Sequence, residues 1–213
     1  MDTLLSICVG VGLSAACGFR IFMPLLVMSI ASLSGHLTLA PGFEWIGTYP
    51  ALGTFMVASL LEISAYYVPW LDNLLDTIAV PTATIAGTVA MASAVSEMSP
   101  LLKWALVVIV GGGVAGTIQS VTSLTRIAST ATTGGLANPI LSTVEAGGSI
   151  AMSVLAITLP VLAFLTVIGI TYFAFKKIFK RLFRKGNNLR TQIQHENVTQ
   201  HENEQTSPIY PAG

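Results

Sequence analysis

The sequence predicts an all-α membrane protein, a polytopic transmembrane helix bundle of about five or six segments, some of them broken or re-entrant. Composition is the first reason. Of 213 residues, 53% are hydrophobic and 9% charged, with formal net charge zero, where a soluble domain carries about 25% charged residues. The second reason is that apolar runs recur along residues 3–175, several near the ~20 residues that a crossing helix needs. The third is that glycine and proline punctuate those runs. A broken helix survives in a bilayer only where its freed backbone groups face protein or water.

Residues 3–33 form the first run, longer than one crossing needs, with Gly10, Gly12, Gly18, Pro24 and Arg20 inside it. Either one tilted helix crosses, or the helix breaks near Gly18-Phe19-Arg20. Residues 34–50 read as a loop with Trp45 and Tyr49 suited to the interface. His36 and Glu44 in it are two isolated polar side chains rather than a metal site. A second helix is expected over 51–68, ending at Pro69, and a third over 74–97, with Pro81 in its first turns. Ser99-Pro100 marks a turn. A fourth helix covers 101–125, and its Gly111-Gly112-Gly113 and Gly116 suit close helix approach. No lysine follows these glycines, so a phosphate loop is excluded. Residues 127–139 read as a polar loop, re-entrant if it holds an anion through Arg126 and backbone N–H groups. The chain is then apolar to Phe175. It reads as two segments, 140–157 and 158–176, divided at Pro160, or as one kinked helix.

The domain reading is a transmembrane domain over 1–178, then a basic juxtamembrane segment with a disordered polar tail over 179–213. Residues 1–175 hold three basic side chains, whereas 176–213 hold seven. The cluster from Lys176 to Lys185 places the C-terminus in the cytoplasm by the positive-inside rule. That position explains the cluster without nucleic acid. Cys8 and Cys17 imply no disulfide framework.

Stretch 74–90 echoes 140–156, with Asp76-Thr77-Ile78 against Ser142-Thr143-Val144. Each follows a glycine-rich helix with one arginine. An internal repeat over 3–97 and 101–176 is one reading of this. Chance alignment of small residues is the other. Many secondary transporters are built from such repeats, with the site near the midplane.

The chemistry lies in a few charges. A charge at a helix centre costs ~2.5–3.5 kcal/mol on insertion, so Glu62, Asp72, Asp76, Arg126, Arg20 and Glu145 need partners or water. The economical arrangement sets Arg20 and Arg126 against Glu62, Asp72, Asp76 and Glu145. The acidic excess would bind a cation or exchange protons. Asp72 and Asp76 also suit helix capping at the membrane edge, and the arginines suit packing salt bridges. Asn138 adds an amide beside Arg126. No catalytic triad, metal spacing or cofactor motif occurs in the apolar region, so neither an enzyme nor a cofactor is expected.

GFRIFMPLL (18–26), LLEISAYYVPWLDNLLDTIAVP (60–81), STATTGGLANP (129–139) after Arg126, and STVE (142–145) resemble the DUF4126 family of uncharacterised, mostly bacterial integral membrane proteins. The resemblance spans about residues 5–175. Many members have an acidic pair where this chain has Glu145-Ala146. The resemblance implies a bacterial cytoplasmic membrane and makes Arg20, Glu62, Asp72, Asp76, Arg126, Asn138 and Glu145 the site. The expected function is a small transporter, channel or lipid-handling permease, with the lipid bilayer and a small ion or an anionic or lipid substrate as partners, and a homo-oligomer as an option. The alternative is a non-transporting scaffold or assembly factor whose ion pairs are structural.

Overall fold

The computed structural model describes residues 3–65, 69–96, 98–173 and 176, and describes no side chains at 69–74 and 76. Among these residues the structure is helical, without strands. The helices are α1 (Thr3–Phe19), α2 (Phe22–Leu33), α3 (Tyr49–Ala65), α4 (Pro69–Ala94), α5 (Pro100–Leu106), α6 (Gly113–Thr133), α7 (Asn138–Thr158) and α8 (Pro160–Phe173). A 3-10 turn at Glu44–Gly47 precedes α3, and a π-helical turn at Val107–Gly112 joins α5 to α6. Three stretches are long and apolar enough to cross a membrane: Thr77–Ala94, the continuous Pro100–Thr133, and Asn138–Thr158. The other apolar helices are shorter.

Helix α1 is the centre of the bundle. It is apolar or small all round, and an all-apolar helix is one that is covered on every side. Residues Cys8 to Gly18 are all buried. It packs on α4, α6 and α7. Antiparallel pairing with α4 follows from Gly10 beside Met91 and from the Ser14 hydroxyl, which donates to the Gly87 carbonyl at 2.8 Å. Antiparallel pairing with α7 follows from Ser149, whose hydroxyl donates to Ala16 O at 3.0 Å, and from Gly12 against Ala156. Gly18 allows the closest approach to α6: a Cβ there would lie 2.7 Å from the Ala115 carbonyl oxygen.

The first apolar run breaks at Arg20-Ile21, the second of the two expected alternatives. Pro24 explains the position. In a continuous helix its nitrogen would face the carbonyl of Arg20, to which it cannot donate and against which its ring clashes. Placed in the first turn of α2, the same proline is tolerated. From the break, α2 leads back toward the far end of α7, where Val27 and Ile30 share a cavity wall with Val154 and Ile157. Pro160 has the parallel effect at the end of α7, where Leu159 leaves helical geometry (φ −133°, ψ 69°). The two expected segments after Pro139 are therefore both present.

Other boundaries differ from expectation. α3 is described to Ala65 and α4 from Pro69, so the expected end of the second helix lies outside the described residues. Pro81 lies inside α4 instead of in its first turns. The polar stretch 127–139 is mostly helix, since α6 continues to Thr133. Its hydroxyls fold back on the helix: Thr132 Oγ1 donates to Ala128 O at 2.9 Å and Thr133 Oγ1 to Ser129 O at 2.8 Å. Gly134 (φ +63°) then closes the helix in the left-handed conformation, which a residue without Cβ adopts freely. The re-entrant anion loop thus reduces to a short turn.

The described residues up to Thr171 form one compact unit, and Tyr172 begins a second. In the second, Lys176 Nζ lies 6.0 Å above the Tyr172 ring. The expected disordered tail, 179–213, and Glu97 lie outside the described residues.

Candidate functional site

The break between α1 and α2 exposes backbone groups in the middle of an apolar bundle. The first N–H groups of a helix have no partner within it. Glu62, on α3, supplies one. Its Oε1 accepts from Ile21 N–H at 2.8 Å and its Oε2 from Phe22 N–H at 3.1 Å. A carboxylate at a helix N-terminus also complements the helix dipole. Glu62 is buried at 9% exposure. Its surroundings hold the two guanidinium charges of Arg20 and Arg126, both of which act on it electrostatically.

Arg20 sits in the break itself and is 1% exposed. Its terminal nitrogen donates to the Ser142 carbonyl at 3.0 Å and to the Ser142 hydroxyl, and lies 3.6 Å from Glu145 Oε2. Arg126, on α6, donates from Nε to Glu145 Oε1 at 3.2 Å and from a terminal nitrogen to Oε2. This is the two-point geometry in which arginine binds carboxylate most specifically. Glu145 therefore stands between both arginines. It lies about 10 Å along α7 from its first residue, and Arg126 a similar distance before the end of α6, at ~1.5 Å per residue. The centre is inside the bundle.

Asn138 opens α7 and is buried; its amide donates to Thr130 Oγ1 at 3.1 Å across the α6–α7 turn. It ties the turn rather than touching Glu145 through any contact described. The side chains of Asp72 and Asp76 lie outside the described residues. Their backbone places both on α4. The expected division of four acids between two arginines is thus met differently where it is described: Glu145 takes both arginines, while Glu62 serves backbone. Ser142 was missed. Its signal is spacing, because it precedes Glu145 by three residues and so shares a helix face with it.

Beside Glu62 lies a cavity of about 620 Å³, bounded by Ile21, Phe22, Ala58, Leu61, Ile78 and Thr82 among others. A smaller one of about 440 Å³ includes Ser34 and His36 with the end of α7. Among the described residues no group of three His, Cys, Asp or Glu side chains is placed to hold a metal ion.

A family model described as a domain of unknown function, DUF4126, matches residues 7–180. The chain belongs to the DUF4126 family. The matched region contains every described residue of the centre, from Arg20 and Glu62 to Arg126 and Glu145. No curated protein and no solved structure matches this DUF4126 chain. The family description assigns no activity, so a reading of function rests on the geometry.

Proposed function

We propose that this DUF4126 protein is a lipid-handling permease, the member of the transporter, channel and permease class that its cavity fits best. The observation that carries the reading is Glu62. A buried carboxylate forms part of the wall of an otherwise largely apolar cavity and at the same time holds the broken helix, next to the Arg20–Glu145–Arg126 cluster. Intramembrane ionisable groups are costly, and they mark substrate or ion pathways more often than inert packing. Broken helices at a central polar site are the common architecture of secondary transporters. The proposal involves no covalent chemistry. It sets the chain in a bacterial cytoplasmic membrane, with the basic segment after α8 on the cytoplasmic side, alone or as a homo-oligomer.

The scaffold reading has one observation in its favour: Glu145 and the two arginines already satisfy one another. Reconstitution separates the two. Proteoliposomes are assayed for translocation of head-group-labelled phospholipid and, with an internal dye, for pH-dependent flux. The wild type is expected to be active. Glu62→Gln and Arg126→Ala proteins are expected to insert and fold but lose that activity. Unchanged activity in both removes the site assignment, and an inactive wild type in both assays removes the permease reading in favour of the scaffold.

A further inference from the structure

The cavity beside Glu62 has a direction. Leu61 is 65% exposed and Ile78 51% exposed, so both stand at its outer edge on the apolar surface of the bundle. Glu62, Ala79 and Ile21 lie deeper, with Glu62 and Ala79 buried. A ligand moving from that surface toward Glu62 passes apolar side chains first and meets the carboxylate last. A hydrated ion would lose most of its water along such a wall, with only the Ser64 and Thr82 hydroxyls before Glu62 to replace it. A molecule with an apolar body would not. The volume, about 620 Å³, falls within the ~300–1,000 Å³ of small-molecule sites.

The head that Glu62 would accept follows from its bonding. An ionised carboxylate has about four acceptor positions. Ile21 and Phe22 N–H groups take two. The remainder can accept from a donor in the cavity. A hydrogen-bond donor is what Glu62 can still take up. Thr82 Oγ1, also on the wall, already donates to Ile78 O at 2.7 Å, which leaves its oxygen as a further acceptor.

We infer that the Glu62 cavity binds a single-chain membrane amphiphile whose head donates hydrogen bonds, an amine or a hydroxyl, with the head at Glu62 and the chain lying out between Leu61 and Ile78. This inference takes the permease reading and names its substrate class, but it is tested by binding, without flux. Full-length protein in lipid nanodiscs is photolabelled with an alkylamine carrying a diazirine in its chain, and the labelled peptides are mapped by mass spectrometry. Labelling is expected on α3 and α4, around Ala58 and Ile78. Dodecylamine and dodecanol should compete. Methyl dodecanoate, with a comparable chain and no donor, should not. Ala58→Trp fills the cavity and should abolish labelling. Ile78→Trp, at the exposed edge, does the same work if Ala58→Trp does not fold. Glu62→Gln should weaken competition by dodecylamine about tenfold, the loss expected when a hydrogen bond to a charged group is removed. Equal competition by methyl dodecanoate, or labelling that survives the tryptophan at the site, overturns the inference. Binding as described with no translocation in proteoliposomes leaves it standing and removes only the permease.

Discussion

Arg126 and Glu145 form a two-point ion pair inside the helix bundle, with Nε and Oε1 3.2 Å apart and a second nitrogen on Oε2. Both side chains are almost fully buried. The pair joins α6 to α7 across a short turn, and Arg20 approaches the same carboxylate from the break after α1. Three segments of the fold therefore meet on one side chain, and the consequences of altering it can be ranked.

Removing Glu145 leaves two buried guanidinium groups without their shared carboxylate. Breaking a buried pair on one side costs about 3–5 kcal/mol. Glu145→Ala should therefore lower the thermal unfolding temperature in detergent more than the double change Arg126→Met with Glu145→Leu, which strands one guanidinium, that of Arg20, instead of two. Equal losses would mean that the pair is not buried as described.

Ser142→Ala removes the hydroxyl that Arg20 reaches but keeps the backbone carbonyl at 3.0 Å. A hydrogen bond to a charged group contributes about 1.5–3 kcal/mol. The expected loss sits toward the lower end of that range, because one acceptor remains. Chemical denaturation in mixed micelles checks it, and a loss as large as that of Glu145→Ala would contradict the geometry.

Glu62→Ala uncaps α2. Loss of an N-cap side chain costs about 0.5–2 kcal/mol, and the effect should be local. Hydrogen exchange should accelerate at Ile21 and Phe22, the two amides that Glu62 holds, while Arg126 and Glu145 keep their contact. Protection unchanged at those two amides would rule out the capping role.

Glycines here divide by what surrounds them. A Cβ at Gly87 would meet Ala115 and lie 2.8 Å from the Gly111 carbonyl oxygen, whereas one at Gly147 would meet nothing within 4 Å. Gly147→Ala should stabilise α7 by roughly 0.5–1 kcal/mol, the difference in helix propensity. Gly87→Ala should destabilise by about 1–3 kcal/mol, as overpacking does. Opposite shifts in unfolding temperature are the result that checks the close crossing of α4 with the π turn and α6.

Much of this was legible in the chain itself. Apolar composition and the length of its runs dictated an all-helical bundle, because backbone groups away from water must bond within their own segment. A break near Gly18-Phe19-Arg20 and a division at Pro160 were each one of two readings, and Pro24 and Pro160 account for both, since proline removes a helical donor wherever it stands. Other marks misled for local reasons. The threonines of 129–133 looked like loop residues, yet their hydroxyls bond back to the preceding helical turn. Pro81 looked like a helix start but is carried inside α4.

The sequence by itself determined which groups had to be accommodated: a few charges in an apolar chain, each too costly to leave alone. Only the tertiary structure decided who accommodates whom. Arg20 meets Ser142 across 122 positions of sequence, and Glu62 meets Ile21 across 41. Such pairings depend on which helices lie side by side and at what depth, and that is set by the packing of small residues along α1. Composition limits the set of partners, and the arrangement of helices selects among them: Glu145 for the two arginines, and the open end of α2 for Glu62.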